Sequence, residues 1–126
     1  MNATFIIKTL ERPESLARLL RSIRLPYPGA RILVGDDSLK HGPAQTVCAA
    51  WNAEHIALEH DIGLGAGRNR LADLVDADEL VLFDDDFMLL PENQLASMAA
   101  LVHSGMFDLC GGTVCHFGTE THSAAA

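Results

Sequence analysis

Positive charge is scarce in this sequence. It carries 9 Lys and Arg against 17 Asp and Glu, for a net charge of −8. The basic residues are scattered, which excludes the concentrated basic face that non-specific nucleic-acid binding needs. Cysteine is scarce too: Cys48, Cys110 and Cys115 form an odd set with no CxxC spacing. That pattern supports neither a disulfide framework nor a zinc ribbon, and reduced structural thiols are expected. No apolar run approaches the ~18 residues of a membrane span. The run Phe5-Ile6-Ile7 near the amino terminus is too short for a signal peptide. A soluble cytoplasmic protein with no membrane partner is expected. Internal repeats and low-complexity segments are also lacking. What remains is an ordinary globular composition: 126 residues, 48% hydrophobic and 21% charged, enough for one domain with a real core.

Short apolar runs alternate with helical patterns. Strands are predicted over 4–10, 31–35, 56–59, 80–83 and 109–114. Helices are predicted over 13–23, 43–55, 66–75 and 91–104. In the first helix Leu16, Leu19, Leu20 and Ile23 recur at helical spacing, and Pro13 suits the first turn. Such alternation implies an α/β fold: a Rossmann-like, mostly parallel sheet in the order 3-2-1-4 with helices on both faces. Residues 1–117 are read as one domain and 118–126 as a flexible tail. In that order the carboxyl ends of the strands, at Thr9, at Asp36 and Asp37, and at Asp84 to Asp86, converge on one crevice.

The run Val81-Leu82-Phe83-Asp84-Asp85-Asp86-Phe87 carries the most chemistry. Neighbouring carboxylates repel by about 4 kcal/mol per close pair at an effective dielectric of 20. A divalent cation turns that repulsion into attraction, and carboxylate oxygens suit Mn²⁺ or Mg²⁺. The plain alternative is a solvated acidic turn; its place after a buried strand favours the cation. Asp36-Asp37-Ser38 is either a turn or helix cap, or a hydrogen-bonding group for a nucleoside. Gly63-Leu64-Gly65-Ala66-Gly67-Arg68-Asn69 is not a dinucleotide fingerprint. It either turns the chain tightly or offers backbone N–H groups and Arg68 to an anion. Thr9 and Arg12, after the first strand, are either loop residues or ligand contacts. Cys110, Cys115, His116 and His122 form only a weak metal-ligand pattern. No nucleophilic triad or dyad is evident.

Five segments together, KTLERPESL (8–16), VGDDS (34–38), DIGLGAGRN (61–69), LFDDDF (82–87) and DLCGGTV (108–114), are similar in order and spacing to GT-A fold glycosyltransferases. The resemblance is to the amino-terminal, nucleotide-sugar-binding half of family-2-like enzymes. It is greatest to the β-1,4-N-acetylgalactosaminyltransferases, and covers residues 4–115. It implies that Asp84 and Asp86 form a DxD motif holding Mn²⁺ or Mg²⁺, with Asp84 also facing the sugar or ribose and Asp85 nearby. It implies that Thr9, Asp36 and Arg68 hold a nucleoside, uridine above all. Arg12, Asp37, Gly65 and Asn69 are further nucleotide-site candidates. The implied reaction is inverting transfer from a UDP-sugar.

Enzymes of this kind continue well past the DxD motif, and their later half supplies the acceptor site and a catalytic carboxylate. Here Glu120 is the one late acidic residue, in a context unlike that base, so no catalytic residue is assigned. The expectation is a donor-binding domain that needs a second half or a partner chain. The rival is a non-catalytic binding module that keeps the fold. A different nucleotide-binding α/β protein, such as a nucleotidyltransferase, would use the same acidic strand end. A domain of this extent is expected to leave a sheet edge or apolar surface uncovered, and with it to form a homo-oligomer or a hetero-complex.

Overall fold

A computed structural model describes residues 1–116. The expected tail over 118–126, with Glu120 and His122, lies outside the described residues. Eight elements follow in strict alternation: β1 (Ala3–Thr9), α1 (Pro13–Arg24), β2 (Arg31–Asp36), α2 (Gly42–Ala50), β3 (Glu54–Ala57), α3 (Leu64–Ala72), β4 (Glu79–Asp84) and α4 (Leu95–His103). The four strands form one parallel sheet in the order β3-β2-β1-β4, as predicted.

Alternation along the central strands sorts the core into two layers. Phe5 and Ile7 of β1 and Ile32 and Val34 of β2 pack with Leu16, Leu19, Leu20 and Ile23 of α1. All eight are at most 1% exposed, and burying a side chain of this size stabilises by about 1.5–3 kcal/mol. Ala44 and Cys48 of α2 and Leu95 of α4 complete this layer. Ile6 and Leu33 point the other way, onto Leu71 of α3. Helices therefore cover both faces, but unequally. On the α3 side Leu80 and Leu82 of β4 remain 43% and 44% exposed. Among the described residues, β4 pairs only with β1, so its outer edge is open.

The boundaries of α2, β3, α3 and α4 differ from those predicted by two residues or more, α3 running over 64–72 rather than 66–75. α2 ends at Ala50 rather than near 55, and β3 starts at Glu54 rather than at 56. Arg24 explains both. Its guanidinium donates to the carbonyls of Trp51 and Asn52, and also to those of Tyr27, Pro28 and Ala30. It fixes a sharp turn there, and Asn52 has φ 55°. α4 starts at Leu95, not at Pro91, because the Asn93 side chain accepts the Leu95 N–H at 3.1 Å and is itself held by Tyr27 Oη at 3.0 Å. The fifth strand expected over 109–114 is not formed: this stretch is irregular, and Leu109 is 87% exposed. Gly111 and Gly112 give it little side chain to bury. No helix among the described residues is long and apolar enough to cross a membrane.

Candidate functional site

Because all four strands are parallel, their carboxyl ends share one edge of the sheet, where open α/β sheets bind ligands. Register places Thr9 beside Asp36, and Lys8 between Gly35 and Asp84. Thr9 Oγ1 donates to Asp85 Oδ2 at 2.8 Å, and Arg12 Nη1 lies 3.4 Å from Asp85 Oδ1. Asp85 is thereby anchored in a buried position with both oxygens engaged. Its neighbours stay accessible. Asp84 pairs with Arg68 at 2.5 Å, and among the described residues Asp86 has only Arg12, at 3.6 Å.

These residues rim an open hollow of about 360 Å³ lined by Lys8, Leu10, Arg12, Leu64 and the three aspartates. A second hollow of about 210 Å³ adjoins it, bordered by Thr9, Glu11, Arg12, Ser38, Lys40 and Ala44 among others. Arg12 belongs to both. Glu11 turns the chain between them at φ 55°, a costly conformation for a side chain of this kind. Ser38 Oγ steadies it by accepting the Glu11 N–H at 2.8 Å.

Asp37 is fully buried and serves the scaffold. Its carboxylate forms an ion pair with Lys8 and accepts the Gly63 N–H at 3.1 Å. Its carbonyl accepts the Asp61 N–H at 2.9 Å. One side chain thus ties β1 to the loop that opens α3. Gly67 completes this packing: a Cβ there would lie 2.9 Å from Lys8 Cγ, so the helix closes on the lysine only because the side chain is missing. Gly65 and Asn69 are exposed, and nothing would meet a Cβ at Gly65.

Asp36 is equally buried. Oδ1 accepts the Ser38 N–H at 3.0 Å, while His41 Nδ1 and His55 Nε2 approach Oδ2 at 3.0 and 2.9 Å. Burial pushes its pKa up, but hydrogen bonds from Ser38, His55 and His41 outweigh this and hold it below the ordinary value. Asp36 borders neither hollow.

The structure therefore gathers Thr9, Arg12, Arg68, Asp84, Asp85 and Asp86 at one place. It gives Asp36 and Asp37 to internal partners, and leaves Gly65 and Asn69 on the exposed start of α3. Lys8, His41 and His55 were not anticipated. Lys8 had a signal: a cation at the end of the apolar run Phe5-Ile6-Ile7 needs a buried partner. The two histidines had none, since they meet only across α2.

The donor set suits a hard cation. It is all carboxylate oxygen, and the half-exposed Asp86 is the least committed of the three. Among the described residues the trio does not converge as a three-ligand cage. Mg²⁺ commonly binds through one or two carboxylates, with phosphates and water completing the shell. Cys110 and Cys115 are free thiols and, among the described residues, belong to no converging set of three ligands.

The sequence matches the family described as Glycosyl transferase family 2 over residues 4–125. It is 31% identical over 111 residues to human Beta-1,4 N-acetylgalactosaminyltransferase 1, covering 88% of this chain and 20% of the human protein. It is 30% identical, over 88% of this chain and 21% of the relative, to mouse Beta-1,4 N-acetylgalactosaminyltransferase 2. The chain thus spans about a fifth of the length of these relatives.

Proposed function

The chain belongs to glycosyl transferase family 2, and on that premise we propose that it is a metal-dependent donor-binding domain for a nucleotide-diphosphate sugar. A UDP-sugar is favoured, and the relatives' names point to an N-acetylhexosamine. One observation carries the reading. Thr9 and Arg12 clamp Asp85, so Asp84 and Asp86 flank an anchored residue at the rim of the larger hollow.

Mn²⁺ or Mg²⁺ would be held by Asp86 with Asp84, and when bound it neutralises the diphosphate and stabilises the departing nucleoside diphosphate. The chain supplies the rest of the anion site. Arg12 borders both hollows, and its charge suits the diphosphate. Lys8 also lines this hollow, with its charge countered by Asp37. Arg68 is held against Asp84 and becomes available to an anion when that carboxylate turns to a cation. Sugar transfer also needs a group that deprotonates the acceptor hydroxyl. We assign that role to a further part of the protein or to a partner chain, and expect inverting transfer.

Calorimetric titration of UDP with and without Mn²⁺ tests this. Metal should strengthen binding at least about tenfold, or 1.4 kcal/mol, and Asp86→Ala should remove that gain while the fold stays intact. Equal affinity with and without metal overturns the metal assignment. A second reading, a non-catalytic oligomeric module, rests on the half-exposed Leu80 and Leu82 beside an open sheet edge. Light scattering that finds an oligomer, with no metal-dependent UDP binding, would favour it.

A further inference from the structure

Apart from the hollow, the more buried of two ligand-bearing clusters among the described residues joins the end of β2, the turn before α2 and β3. Asp36, His41 and His55 each offer a ligand atom within 4.8 Å of the others, and Asp36 Oδ2 lies between His41 Nδ1 and His55 Nε2. The Asp36 side chain is fully buried, that of His55 is 10% exposed and that of His41 30%. The two rings meet edge to face, 5.5 Å apart at 71°. An ionised carboxylate only accepts, so in the ion-free protein each ring must turn an N–H toward it. Two imidazole nitrogens and one carboxylate oxygen also make up a ligand set that binds zinc.

We propose that Asp36, His41 and His55 bind one divalent transition-metal ion, zinc by preference, at a site separate from the acidic hollow. Zinc–nitrogen and zinc–oxygen bonds of about 2.0–2.1 Å at tetrahedral angles place neighbouring ligand atoms about 3.3 Å apart. The observed separations of 2.9 and 3.0 Å need to open by only a few tenths of an ångström. His41 borders the exposed turn and can supply that movement. The ion would bind each ring in its neutral form, with the proton on the far nitrogen, His41 Nε2 or His55 Nδ1. The bound set carries +1, from a dication and one carboxylate, and water fills the fourth position. Nitrogen ligands separate this site from the all-oxygen hollow, which suits Mg²⁺ or Mn²⁺. The ion would cross-link β2, β3 and the turn before α2. It stands independently of the nucleotide reading.

The test uses the full chain, stripped with a chelator and free of nucleotide. Zn²⁺ is titrated against a chromophoric competitor, and Co²⁺ serves as a spectroscopic probe. One equivalent of Zn²⁺ should bind, Tm should rise with added zinc, and Co²⁺ should give the visible absorption of a four-coordinate site. His55→Gln keeps an N–H donor for Asp36 but loses the ligand; it should fold normally and weaken zinc at least tenfold. Asp86→Ala, in the hollow, and His103→Ala, in the exposed cluster with Asp78 and Glu79, should bind zinc like the parent. The proposal is overturned if the parent binds no more zinc than the His41→Gln/His55→Gln double variant. It is equally overturned if zinc is lost in Asp86→Ala or His103→Ala while His55→Gln retains it.

Discussion

Thr9 Oγ1 and Asp85 Oδ2 meet at 2.8 Å although 76 residues separate them in the chain. The bond joins the end of β1 to the turn after β4 and sets the middle carboxylate of the acidic run. Thr9 is 2% and Asp85 7% exposed, so water does not replace a lost donor. Thr9→Val should therefore cost about 1–3 kcal/mol, the penalty of a buried group left unsatisfied. Urea denaturation measures this. The same variant should weaken Mn²⁺-dependent UDP binding, because Asp84 and Asp86 lose their anchored neighbour. Unchanged stability would mean that the bond does not persist in solution.

Asp37 and Lys8 form a buried ion pair whose partners are 0% and 8% exposed. Removing one partner of such a pair strands the other charge, at about 3–5 kcal/mol. Asp37→Ala should approach that cost and also free the Gly63 loop. Amide hydrogen exchange should speed up around residues 60–66 before it does in β2. A loss under about 1 kcal/mol would show the pair to be solvated.

Gly65 and Gly67 share one helix and should respond to alanine with opposite signs. A Cβ at Gly65 meets nothing, so Gly65→Ala should stabilise by about 0.5–1 kcal/mol through the unfolded chain. A Cβ at Gly67 lands 2.9 Å from Lys8 Cγ, and Asp37 holds that lysine in place. Gly67→Ala should destabilise by about 1–3 kcal/mol. Thermal melts of the two variants decide the matter.

Burial first, and then the charge of Asp36, push the Cys48 thiol from 9.0 up to about 11. The folded state thus favours the protonated form more than the unfolded state does. The resulting stability is complete below pH 9 and is lost as pH rises to 11. The stability difference between the parent and Cys48→Ala should shrink by about 2–3 kcal/mol across that window, at 1.36 kcal/mol per pH unit. At pH 8 an aromatic disulfide reagent should modify the exposed Cys115 quickly and the buried Cys48 only on unfolding.

The periodicity of Leu16, Leu19, Leu20 and Ile23 was legible, as were the apolar runs before Thr9, Asp36 and Asp84. They sufficed for the strand order and for the placing of acidic groups at one edge. The end of α2 was not, because it depends on Arg24 reaching carbonyls in a different segment. Nor was the absence of strand pairing over 109–114, where Gly111 and Gly112 leave little side chain to bury against the open edge of β4.

Side-chain chemistry divides along the same line. Local sequence determined which residues leave the strands, since apolar pattern and parallel pairing act over a few positions. Only the tertiary structure decided their partners. It gave Asp37 to Lys8, Asp36 to two histidines and Asp85 to Thr9, and left Asp86 nearly free. Desolvation is the reason: a buried charge must find a counter-group wherever the fold brings one, and that choice is made in space, not along the chain.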